Sequence, residues 1–100
     1  MVQATTPTFV LTLPNTVDLS LARNIYFTLR QGATVIEKTG ADLTIDGQTV
    51  SVYLSQVETL ALNAGQARLQ LNWTYQGGER ACTNIASVAV TENLLRKVVE

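Results

Sequence analysis

The dominant pattern along the chain is strict alternation of apolar and polar positions. It is clearest in QARLQLNWTY, where Ala67, Leu69, Leu71, Trp73 and Tyr75 fall on one side and Gln66, Arg68, Gln70, Asn72 and Thr74 on the other. NIYFTLR repeats it with Ile25, Phe27 and Leu29, and TFVLTL repeats it more weakly with Phe9, Leu11 and Leu13. Such segments read as antiparallel strands with one face in a core and one in water. In DLTIDGQTVSVYL the Asp46-Gly47 pair sits between apolar alternations and predicts a tight hairpin, because Asp-Gly accepts the positive φ angles such turns need. A second turn is predicted at Gly77-Gly78. Beyond it Ile85 has the opposite parity to Val88 and Val90, so either a bulge intervenes near Ala86-Ser87, the preferred reading, or Ile85 faces outward.

The pattern predicts strands near 8–13, 24–31, 33–38, 42–46, 48–54, 66–76 and 80–91, about seven with frequent turn signals, as in an all-β antiparallel sandwich. The run VYLSQVETLALNAGQ interrupts the alternation. Ser55 and Glu58 have the spacing of a capping box, and Gly65 closes the passage, which predicts one short helical turn crossing between the sheets. Thr59 stands where an apolar residue would complete a hydrophobic staple. TENLLRKVVE spaces Leu94, Leu95, Val98 and Val99 at i, i+1, i+4 and i+5, a helical stripe. The reading is one domain over residues 1–100, with a sandwich core over about 8–91 and a tail over 92–100.

Composition narrows the function classes. At 100 residues, 46% apolar, 15% charged and a net charge of −1, the chain can bury one modest core and carries no basic field for nucleic acid or an anionic membrane. No apolar run approaches the roughly 20 residues of a membrane helix, and the first fifteen residues lack the pattern of a secretory signal. Cys82 is the only cysteine, which excludes an internal disulfide, and is expected to be a small buried hydrophobe. Histidine is absent, which removes the usual neutral-pH base and the commonest zinc ligand. An enzyme is therefore not expected, nor a metal or other cofactor.

The candidate side chains follow from parity. Trp73 and Tyr75 share the face of Leu69 and Leu71, so Trp73 is expected in the core with its indole N–H on a carbonyl rather than on a sugar-stacking platform. Tyr26 and Tyr53 alternate against apolar neighbours and are candidate partner contacts. Asp42 and Asp46, about 13 Å apart along an extended strand, cannot share one calcium ion bound at roughly 2.4 Å. Glu37, Glu58 and Glu79 lie on separate elements and read as surface carboxylates. Leu94, Leu95, Val98 and Val99 dock on their own sandwich, fray, or contact a neighbour. The working expectation is that residues 92–99 leave the sandwich and contact a second copy or another protein.

Several of these segments carry a resemblance. A strand ending in Gln31, a short charged strand, a hairpin around an acidic-Gly turn, LSQVETLALNAG and a long Gln-bearing strand, in that order from about Thr8 to Val99, resemble the small immunoglobulin-like proteins encoded among prophage tail genes of Gram-positive bacteria. They are also similar to the N-terminal immunoglobulin-like domain of phage upper baseplate proteins. Cys82 lacks the partner that true immunoglobulin domains place across the sheets, and Ala67 stands near where they carry a tyrosine. The resemblance is that of a structural homologue. It implies a non-enzymatic structural or assembly module made in the bacterial cytoplasm and carried on a virion, with other tail proteins or itself as partners and no catalytic residues. The alternative expectation is a module that binds carbohydrate or another bacterial surface group.

Overall fold

The long alternating segment becomes the central strand of the molecule. In the computed structural model, which describes all 100 residues, the strands are β1 (Thr8–Thr12), β2 (Ala22–Gln31), β3 (Thr34–Thr39), β4 (Leu43–Asp46), β5 (Thr49–Tyr53), β6 (Gly65–Tyr75), β7 (Arg80–Cys82) and β8 (Ala86–Val90). A short helix, α1 (Gln56–Leu60), joins β5 to β6. One sheet has the order β1-β5-β4; the other runs β3-β2-β6, with β7 and β8 pairing successive stretches of the far edge of β6. All these strand pairs are antiparallel. Taking β1 as strand B of an immunoglobulin fold, the sheets are B-E-D and C′-C-F-G, so the chain is an immunoglobulin-like β-sandwich.

Parity decides what fills the space between the sheets. Ile25, Phe27 and Leu29 of β2 and Ala67, Leu69, Leu71 and Trp73 of β6 face Val50 and Val52 of β5 in a core of sixteen buried residues. Phe9 of β1 stacks on Phe27 across the sheets with ring centroids 6.2 Å apart. The Asp46-Gly47 hairpin forms as expected: Asp46 pairs with Thr49, and Gly47 takes φ 58° in the turn.

Two features differ from the pattern read along the sequence. The expected strand over 80–91 is two strands. Thr83, Asn84 and Ile85 lie opposite only Gln70 and Leu71 of β6, so the chain carries one extra residue there, as in a bulge. It falls before Ala86 rather than at Ala86-Ser87, and Ile85 also faces outward. The Thr83 hydroxyl accepts a hydrogen bond from the Leu71 amide at 3.1 Å and so stands in for a backbone partner. The extra residue leaves Cys82 opposite Asn72 on the outer face, exposed rather than buried.

The second difference lies at the start of the chain. Val2 forms a parallel bridge with Thr91, and the Gln3 amide donates to the Thr91 carbonyl at 3.0 Å, so the first residues cover the edge beyond β8. Ala4, at φ 62°, then turns the chain across to β1 in the opposite sheet.

Candidate functional site

The passage from β5 to β6 forms its helical turn because the capping box closes in both directions. The Glu58 amide donates to the Ser55 hydroxyl at 3.2 Å, and the Ser55 amide donates to the Glu58 carboxylate at 2.8 Å. Thr59, where the staple lacks its apolar residue, is wholly buried and donates its hydroxyl to the Thr5 carbonyl at 2.8 Å. Gln31 at the end of β2 grips Asn63 with both ends of its amide, donating to the carbonyl and accepting from the N–H, each at 2.7 Å. The buried Gln3 amide donates to the Leu62 carbonyl at 2.6 Å. The larger sheet, through Gln31, and the amino-terminal segment, through Gln3 and Thr5, thus fix this passage.

Glu58, expected as a surface carboxylate, is only partly exposed. Its side chain is mostly covered and its carboxylate meets Lys38 of β3 at 2.8 Å. Burial works to raise its pKa. The hydrogen bond and charge of Lys38, with the Ser55 bonds, outweigh that and hold it below the ordinary value of 4.5. A depressed carboxylate pKa contributes stability that is present above the unfolded value and lost as pH falls through the folded one. Glu58→Gln is therefore expected to be less stable than the parent at neutral pH, with the gap closing below about pH 4. Urea titrations at several pH values check this; a gap that stays constant from pH 7 to pH 3 contradicts the ion-pair assignment.

The same passage holds the tail. Gln56 of α1 donates its side-chain amide to the Val99 carbonyl at 2.9 Å and accepts from the Val99 N–H at 2.8 Å. At the other end Asn93 donates its side-chain amide to the Gln3 carbonyl at 2.9 Å, and its backbone N–H donates to the Gln3 side chain at 3.3 Å. The expected helix is absent from residues 92–100. The Asn93 side-chain oxygen accepts from the Leu95 N–H at 3.0 Å, a local turn that competes with helix formation, and so short an isolated segment cannot offset helix nucleation. Nor does the tail leave the sandwich, because its backbone is tied down at both ends. Its apolar side chains nonetheless stay out of the core: Leu94, Leu95, Val98 and Val99 are 95%, 52%, 53% and 44% exposed. Val57 on α1, beside Gln56, is also exposed.

The remaining candidates are scattered. Tyr53 is exposed on the outer face of the smaller sheet, whereas Tyr26 is half-buried on the outer face of the larger one, so the two tyrosines do not form one site. Trp73 is a core residue at 3% exposure, and its indole N–H donates to the Tyr75 hydroxyl at 2.8 Å rather than to a carbonyl. Asp42 accepts from the Thr39 N–H at 3.3 Å in the turn before β4. No three of the Cys, Asp and Glu side chains gather where a metal ion could be held. Comparison with protein-family models, with curated proteins and with solved structures finds no match for the chain. The best-defined surface feature is therefore the tethered apolar strip over residues 94–99. Gln3, Gln56 and Asn93, which hold it, carry no pattern that singles them out in sequence. Only Gln56 lies within the distinctive LSQVETLALNAG passage.

Proposed function

We propose that the protein is a non-enzymatic assembly module whose C-terminal strip binds another protein, in the setting of a phage or prophage tail or baseplate. The observation that carries this reading is a backbone fastened at Asn93 and Val99 while Leu94, Leu95 and Val98 between them face solvent. Covering a fully exposed side chain such as Leu94 contributes roughly 1.5–3 kcal/mol, and covering the half-exposed Leu95 or Val98 about half of that. Because the strip is already ordered, less of that gain is lost to immobilisation on binding. The tail setting rests on the ordered pattern that resembles prophage tail proteins, and the LSQVETLALNAG passage central to that pattern supplies Gln56, which anchors the strip at Val99.

The test is binding to the proteins encoded on either side of the gene. The full chain is expected to co-elute with at least one of them, and Leu94→Asp/Val98→Asp to bind at least about tenfold more weakly with an unchanged melting temperature. Equal binding by the variant, or selective binding of a glycan with no protein partner, would contradict the proposal.

A further inference from the structure

Each sheet edge of the sandwich but one is protected. The outer edge of β3 carries Glu37 and Lys38; β4 is only four residues long and ends in Asp46; β7 is three residues long and begins with Arg80; and Met1 to Gln3 bond to Ala89 and Thr91 at the end of β8, leaving only the short stretch from Ala86 to Val88 of that edge open. The exception is β1. It pairs with β5 on one side and has no neighbouring strand on the other. It lacks charge altogether: the first charged side chain in the sequence is Asp18. In an immunoglobulin sandwich strand A occupies this edge; here the residues that could have done so run along the opposite sheet instead.

The exposed edge has a definite hydrogen-bonding pattern. The Leu13 N–H donates to the Gln48 carbonyl at 2.8 Å and the Leu54 N–H donates to the Pro7 carbonyl at 3.0 Å, so the odd-numbered residues bond towards β5. By alternation, the N–H and C=O groups of Thr8, Val10 and Thr12 point to the open side. The side chains of these three are also exposed, Val10 at 62%. An antiparallel copy of the same strand, placed with Val10 opposite Val10, sets Thr8 against Thr12 twice and closes about six backbone hydrogen bonds. On the inner side it brings the half-buried Phe9 and Leu11 against Leu11 and Phe9 of the copy. There β1 borders an apolar cleft lined by Leu11, Leu13, Trp73, Tyr75 and Ala81. Pro14, which has no N–H to offer, ends the ladder and favours this register.

We propose that β1 is a homodimerisation edge at which two copies join their smaller sheets into one continuous sheet about a two-fold axis through Val10. This interface is separate from the C-terminal strip and goes beyond the assembly reading, since either surface can operate without the other. Sedimentation of the full chain up to about 1 mM, with amide hydrogen exchange on the same samples, tests it. The parent chain is expected to dimerise, and the amides of Thr8, Val10 and Thr12 to exchange more slowly as concentration rises. Val10→Lys, which faces two ammonium groups across the axis from an exposed position, is expected to weaken dimerisation at least about tenfold with the melting temperature of the monomer retained. Leu94→Asp/Val98→Asp is expected to dimerise like the parent. A parent chain that stays monomeric, a dimer without protection at Val10, or a dimer lost in the tail variant but kept in Val10→Lys would each overturn the proposal.

Discussion

Replacing Trp73 with alanine is expected to cost about 3–5 kcal/mol, the largest single effect of any substitution considered. Trp73 sits in β6 between Ile25 of β2 and Ala81 of β7, almost wholly removed from water. Truncation there leaves a cavity between two sheets whose backbones are held by hydrogen-bonded neighbours and cannot close over it. It also removes the partner of the Tyr75 hydroxyl, a smaller loss, because Tyr75 is only half-buried and water can replace the indole. Domains of this size are stable by roughly 5–15 kcal/mol, so the variant should melt more than about 10 °C below the parent. Thermal unfolding followed by circular dichroism checks this. Melting within a degree or two of the parent would mean that Trp73 does not face the core.

Gln3→Leu is expected to have the next largest effect, about 2–3 kcal/mol, although the substitution conserves size and adds apolar surface. The Gln3 side chain is buried and satisfies the Leu62 carbonyl and the Asn93 N–H together. Leucine leaves both groups without a partner, and the desolvation cost of each remains. Gln56→Leu, by contrast, releases Val99 at a less buried position where water replaces the lost bonds, and should cost about 1 kcal/mol or less. Urea denaturation of the two variants beside the parent distinguishes them. If both lose equally little, Gln3 does not join the amino-terminal segment, the passage after β5 and the tail as described.

The legible part of this fold follows from how directly each signal maps onto physics. Period-2 alternation places Leu69, Leu71 and Trp73 on one face whichever strands lie alongside, because side chains of a strand alternate by geometry. Asp46-Gly47 and the Ser55/Glu58 pair act through their own backbone neighbourhood, so they too can be read locally. Features that depend on tertiary partners are not legible in this way. A single extra residue at Thr83–Ile85 reverses parity, and Cys82 moves from the expected core position to the surface. The apolar spacing of residues 94–99 does match a helix, but Asn93 and Gln56 bind the backbone in another conformation. Lys38 lies twenty residues before Glu58 in sequence, and only the packing of α1 near β3 brings the pair together. The candidate site was legible as a set of apolar residues, Leu94, Leu95, Val98 and Val99; the amide clamps that hold it were not, because glutamine and asparagine suit exposed loops and buried junctions alike.

Order in the tail before any partner arrives is measured directly by backbone 15N relaxation of the isolated, dilute chain. Asn93 and Val99 are expected to show order parameters approaching the value of about 0.85 typical of rigid backbone, with Leu94 to Val98 between them above about 0.6. Order parameters that fall below about 0.6 from Glu92 onward would show a free tail and contradict a tethered strip.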